Sequence, residues 1–132
     1  MATIEEAVRT MLTTGTVLSA AGVPDARVTH GYRLQETALP SVTYSVESKS
    51  YADNAGPFYT ATLTVNSIAV TSADALDIAD AVKSTLVAGT YSTIKIDAVM
   101  VTDEALEPET IGIGDEQEPA TARTTATIIW RT

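Results

Sequence analysis

The stretch Phe58-Tyr-Thr-Ala-Thr-Leu-Thr-Val-Asn-Ser-Ile-Ala-Val-Thr71-Ser-Ala-Asp-Ala-Leu-Asp-Ile-Ala-Asp-Ala-Val-Lys-Ser-Thr-Leu86 changes its hydrophobic period midway. From Phe58 to Ile68 it alternates, with Tyr59, Ala61, Leu63 and Val65 on one face and Thr60, Thr62, Thr64 and Asn66 on the other. That is the period of a strand with one covered face. From Ser72 to Leu86 the period lengthens to that of a helix, with Leu76, Ala79, Val82 and Leu86 as its apolar stripe. Thr71 with Asp74 three residues on marks the helix start. Asp74, Asp77 and Asp80 lie three apart on the opposite side. Early-turn carboxylates are favoured by the helix dipole, and Lys83 follows Asp80 by three, so the trio reads as a solvated face rather than a cation site.

Upstream, Ser41 to Ser48 alternates in the same way, with Val42, Tyr44 and Val46 opposite Thr43, Ser45 and Glu47. The Lys49 to Pro57 loop joins it to the Phe58 strand, which predicts an antiparallel hairpin. A helix is expected from Ile4 to Thr13, where Ile4, Val8, Met11 and Leu12 share a face and Thr3 with Glu6 makes a capping-box pattern. Thr14 to Asp25 mixes apolar residues with Gly and Pro and leaves room for a short helical turn. Arg27 to Tyr32 reads as a short strand and Gln35 to Pro40 as a loop. Downstream, Gly89 ends the helical region and Thr93 to Thr102 forms a strand through Ile94, Ile96, Ala98 and Met100. In the last strand, Ala120 to Arg131, Ala122, Thr124, Ala126, Ile128 and Trp130 share a face. The expected fold is a single α/β (α+β) domain over residues 1–132 in the order α-β-β-β-α-β-β. Its mixed, mostly antiparallel sheet has about five strands, with the helices on one face.

The 132 residues are enough for one domain with a sizeable core. Apolar residues make up 45% but aromatics only 5%, so Val, Ile, Leu and Ala must fill that core. Seventeen acidic against eight basic residues give a formal net charge of −9, and the basic residues are scattered singly from Arg9 to Arg131. Binding to a nucleic-acid backbone needs clustered cations, so this balance argues against it. No apolar run approaches the roughly 20 residues of a membrane helix. Glu5 and Glu6 stand where a signal peptide would carry positive charge, so a cytoplasmic location is expected in the producing cell. Cysteine is absent, which excludes disulfides and thiolate chemistry.

Signatures of catalysis are missing. The only imidazole is His30, there is no Gly-x-Ser-x-Gly elbow or phosphate loop, and no His or Cys cluster could hold zinc. No enzyme activity, cofactor or metal is expected. The most distinctive segment is Asp103 to Pro119, which holds Asp103, Glu104, Glu107, Glu109, Asp115, Glu116 and Glu118 without a basic residue. It reads as a long acidic loop, either solvated or serving as an arm or negative lining. Calcium-loop spacing is absent from it. Together with Lys49, Tyr51, Asp53 and Asn54 of the first loop, these acids are the candidate partner-facing residues, chosen by loop length and composition.

Several ordered features resemble one family. They are the opening helix Ile4-Glu-Glu-Ala-Val-Arg9, the strand start Leu39-Pro40-Ser41-Val42-Thr43-Tyr44 and the helix Ala73-Asp-Ala-Leu-Asp-Ile-Ala-Asp-Ala-Val-Lys83. Glu107-Pro108-Glu109 and a last strand ending in an aromatic and Arg131 complete the set. In order and spacing the chain is similar to the tail completion or tail terminator proteins of long-tailed bacteriophages and prophages. The resemblance covers nearly the whole chain, although each motif alone is weak. It implies a homohexameric ring, assembled in the host cytoplasm and located in the virion at the head-tail junction. Such a ring caps the tail tube, stops its polymerisation and presents the head-joining surface. The implied partners are other copies of the chain, the tail tube protein and a neck or head-completion protein, with DNA passing through the lumen unbound. The alternatives are another phage neck or head-completion connector and a non-phage cytoplasmic adaptor domain.

Overall fold

A computed structural model describes residues 3–31, 39–51, 58–108, 110–111 and 117–131. Two short helices open the chain: α1 (Ile4–Thr13) and α2 (Val17–Ala20). After a 3-10 turn at Asp25–Arg27 come β1 (Val28–His30), β2 (Ser41–Tyr51) and β3 (Phe58–Ala69). The third helix, α3 (Ser72–Thr85), leads to β4 (Gly89–Tyr91), β5 (Ile94–Glu107), the two-residue strands β6 (Thr110–Ile111) and β7 (Gln117–Glu118), and β8 (Ala120–Arg131). Six strands form one sheet in the order β1-β2-β3-β8-β5-β4, and β6 and β7 pair apart from it. Every neighbour is antiparallel except β1, which runs parallel to β2.

The period change at Thr71 positions the rest. Thr71 Oγ1 accepts the Asp74 N–H at 3.2 Å, satisfying one of the unpaired donors of the first turn of α3, and Thr3 Oγ1 does the same for Glu6 at the start of α1. The helices cover the sheet face made by Val42, Tyr44 and Val46 of β2, Ala61, Leu63 and Val65 of β3, and Ala122, Ile128 and Trp130 of β8. Val8, Met11 and Leu12 of α1 and Ile78 and Val82 of α3 complete one continuous core. Tyr59 stacks on Trp130 at a ring-centroid distance of 5.5 Å, which makes the closing tryptophan part of the core. The expected mixed sheet and the hairpin from Ser41 are present, with Ser41 opposite Ile68 at one end and Tyr51 opposite Tyr59 at the other.

Five expectations are corrected. Residues 103–107 are not loop: β5 continues through them to Glu107, each of the five paired with a residue of β8 between Thr125 and Thr121. Asp, Glu and Ala are poor strand formers in isolation, but a long partner strand overrides that preference. The face of β5 is also not continuous. Bulges at Asp97 and Thr102 shift the register, so Ala98 and Met100 do not follow Ile94 and Ile96 toward the helices, and Val99, opposite Ile128, takes their place. Leu76 stands exposed on α3, whose buried stripe is Ala75, Ile78, Ala79 and Val82. Finally, Gly89 starts a strand: β4 and β5 form a two-residue hairpin across Ser92 and Thr93, both with positive φ (48° and 70°). The strand expected from Arg27 to Tyr32 shortens to Val28–His30, and Tyr32 lies outside the described residues.

Candidate interaction surface

β5 is the longest strand of the sheet, and its two sides are unequal. On one side β8 pairs with it along nearly its whole length; on the other β4 pairs only with Ile94, Lys95 and Ile96. From Asp97 to Glu107 its outer edge has no neighbouring strand among the described residues, leaving a row of backbone donors and acceptors for a partner. Met100, Val101 and Leu106 on this stretch are exposed by 50%, 43% and 38%. Three large apolar side chains on an open edge make a surface suited to pairing.

The expected partner-facing residues divide by element. Glu104 is opposite Thr124, on the helix side of the sheet, while Asp103 opposite Thr125 and Glu107 opposite Thr121 lie on the helix-free face. Glu104 accepts Lys83 Nζ of α3 at 2.7 Å, and the same ammonium reaches Asp80 at 3.2 Å. Both hydrogen bonds, Glu104 first and Asp80 second, raise the Lys83 pKa, and the pair pins α3 to the far half of β5. Asp103 and Glu107 make no ion pair among the described residues. Lys49 on β2 is engaged by Glu5 of α1 and so ties the hairpin to the first helix. Burial acts to raise the Glu5 carboxyl, but the hydrogen bond from Lys49 and the backbone outweigh it and hold its pKa below the usual value. Tyr51 ends β2, and Glu118 of β7 is opposite Thr110. Asp53, Asn54, Glu109, Asp115 and Glu116 lie outside the described residues.

Two depressions flank the far half of β5. On the helix side, Leu76 and Lys83 face Leu106 and Glu104 across Ala122 and Thr124, enclosing about 320 Å³. On the helix-free side a hollow of about 500 Å³ is lined by small polar residues such as Thr43, Ser45, Thr64 and Asn66, together with Arg123 and Glu107. At the other end of this face Asp97 lies 3.5 Å from Arg131 Nε and 4.0 Å from Lys95 Nζ, and the Arg131 guanidinium sits over the Phe58 ring.

Little in this arrangement points to bond-making chemistry. His30 is exposed at the sheet margin, its ring 5.3 Å from that of Tyr44. Among the described residues no three His, Asp or Glu side chains come together to hold a metal, and no helix is long and apolar enough to cross a membrane. An open backbone edge, apolar side chains beside it and unmatched carboxylates can recognise another protein by shape, backbone pairing and charge. Loop length and composition missed the edge because Val99-Met-Val-Thr-Asp-Glu-Ala-Leu-Glu107 turns acidic midway. Leu106, a large apolar residue inside the acidic run, was the available signal that the strand ran on.

No protein-family model matches the chain, and no curated protein matches it. Among solved structures, the chain is similar to one in a structure described as "Virion of native gene transfer agent (GTA) particle". The identity is 18%, the match covers 93% of this chain and 92% of that one, and the TM-score is 0.60. The two share a fold.

Proposed function

We propose that this protein is a structural component of a phage-like virion, and that it acts as a tail completion or terminator subunit. A homohexameric ring of such subunits caps the tail tube, ends its polymerisation and presents the surface to which the head-completion or neck protein joins. The observation that carries this reading is the fold shared over more than nine tenths of both chains with a protein of a virion particle. The order and spacing of the terminator-like motifs, from the opening helix to the last strand, support the finer assignment.

The work is mechanical rather than catalytic. A terminator must bind the last ring of tube subunits and offer them nothing on which to continue, which requires complementary surfaces and no reacting group. The helix-free face is rich in threonine along β3 and β8, and the net charge of −9 fits a ring through which DNA passes without being held. Purified tail tube protein polymerising in the presence of the chain tests the reading. Tubes that stop growing, with the chain at one end only, support it. Tubes that elongate unchanged, with the chain absent from their ends, count against it. A twelve-subunit ring that binds head preparations and ignores tubes would identify a neck connector instead.

A further inference from the structure

We propose that the far half of β5 is a docking edge for an extended segment of another protein, one whose side chains alternate between basic and apolar. The inference goes beyond the virion reading and does not depend on it. Asp103 to Glu107 pair with Thr125 to Thr121 of β8 in unbroken register, five rungs long, and no strand lies on their other side among the described residues. That is the length of an ordinary strand. The backbone of this edge can therefore take one strand more, as sheet edges that bind peptides do.

The two faces of the edge ask for different side chains. Toward the helices, Glu104 and Leu106 lie opposite Thr124 and Ala122, and Leu106 lines the hollow of about 320 Å³ together with Leu76 and Ala79. Leu106 and Leu76 are both exposed, so an apolar side chain of an added strand gains by covering them. Lys83 already takes Glu104 on this side. On the helix-free face stand Asp103 and Glu107, opposite Thr125 and Thr121. Arg123, opposite Ala105 and so between them in register, makes no ion pair with either among the described residues. Around the edge Asp80, Asp103, Glu104 and Glu107 outnumber Lys83 and Arg123, and the segment from Pro108 to Gln117 adds no cation. A partner strand with basic residues on the helix-free face and apolar residues on the other matches both sides.

The same charges disfavour a second copy docking through its own β5. In an antiparallel pair centred on Ala105, Asp103 of each copy faces Glu107 of the other, and like charges directly opposite are destabilising. Acidic side chains and bulges keep an edge strand from pairing indiscriminately. The bulge at Thr102 ends the regular stretch, and its hydroxyl donates to the Thr125 carbonyl at 3.3 Å. Beyond it the carboxylates turn away neutral and acidic strands and admit a cationic one.

Backbone amide exchange of the full chain, read by NMR with and without a short synthetic peptide alternating lysine with valine and leucine, tests the edge. Two control peptides separate the causes: a scrambled one keeps the composition but groups the lysines, and an N-methylated one lacks the backbone donors. The alternating peptide should slow exchange at those amides of residues 103–107 that do not face β8, and added salt should weaken it. Its affinity should exceed that of either control roughly tenfold, and Asp103→Lys with Glu107→Lys should lower it by a similar factor with circular dichroism unchanged. Equal binding by the scrambled peptide would reduce the effect to the net charge of −9 and overturn the proposal. No binding, or protection that maps to another part of the sheet, would overturn it too. So would outward amides already protected without peptide: at low concentration they would mean that the chain covers its own edge, and with rising concentration that a second copy does. The tube-growth experiment decides the virion role separately from all of these.

Discussion

Leu12 and Leu76 both occupy apolar stripes in the sequence, one on each of the two longer helices, and the structure gives them opposite environments. Leu12 is 0% exposed in α1, while Leu76 is 46% exposed on α3 beside the β5 groove. Replacing each by alanine removes the same atoms and changes helix propensity equally, so the difference between the variants reports burial. For Leu12→Ala the lost transfer free energy and the cavity left behind sum to about 3 kcal/mol, within the usual 2–5 for a buried leucine. Leu76→Ala loses roughly half the apolar burial and leaves no closed cavity, so about 1 kcal/mol or less is expected. At about 2.1 cal/mol/K of unfolding entropy per residue, 132 residues make 1 kcal/mol worth about 3.5 °C. The expected shifts in Tm are thus about 10 °C for Leu12→Ala and under 4 °C for Leu76→Ala, read by circular dichroism at low protein concentration. Equal shifts would refute the placement of Leu76 outside the core. A loss of stability in Leu76→Ala that appears only at high concentration would mean that this leucine is covered by a neighbouring subunit.

Thr71→Ala removes the hydroxyl that caps α3 and should cost about 1 kcal/mol, a drop of about 3–4 °C in the same assay. Thr93 holds φ at +70° in the β4–β5 turn, where a β-branched residue is strained, so Thr93→Gly should raise Tm by about 2 °C after the entropy of glycine is set against the relief. The folded-state pKa of Glu5 lies below the ordinary carboxyl value of 4.5, so its pair with Lys49 adds stability above that pH and loses it as pH falls through the folded value. The stability difference between wild type and Lys49→Met in urea titrations should accordingly be present at pH 7 and shrink in acid. Burial of Tyr44 raises its hydroxyl above 10.0, with Glu5 and Glu6 adding to the shift and Arg9 opposing it, so the folded state favours the neutral phenol. Stability should fall as pH rises past 10, and Tyr44→Phe should remove that part of the fall.

The central hairpin and the capped helix after it were legible because period and punctuation agree there: two alternating runs, a Thr71 cap and a helical stripe point to one answer. The far half of β5 was not. Its acidic residues look like loop, and only the pairing of Asp103 to Glu107 with Thr125 to Thr121 of β8 makes them strand, a long-range contact that local pattern does not contain. The bulges at Asp97 and Thr102 carry no glycine, so the alternation through Ala98 and Met100 pointed the wrong way. The same holds for β4, whose turn uses Ser92 and Thr93 where Asn and Gly are the usual residues. Acidity did lead to Asp103, Glu104 and Glu107, but composition alone showed neither the open edge beneath them nor that Lys83 takes Glu104.

The most direct measurement of the central claim is the length of the tails made by a producing strain from which this chain has been deleted. The account predicts tubes that lose their upper length limit and particles whose heads and tails stay apart, both restored when the chain is supplied. Tails of normal length joined to heads in its absence would contradict it.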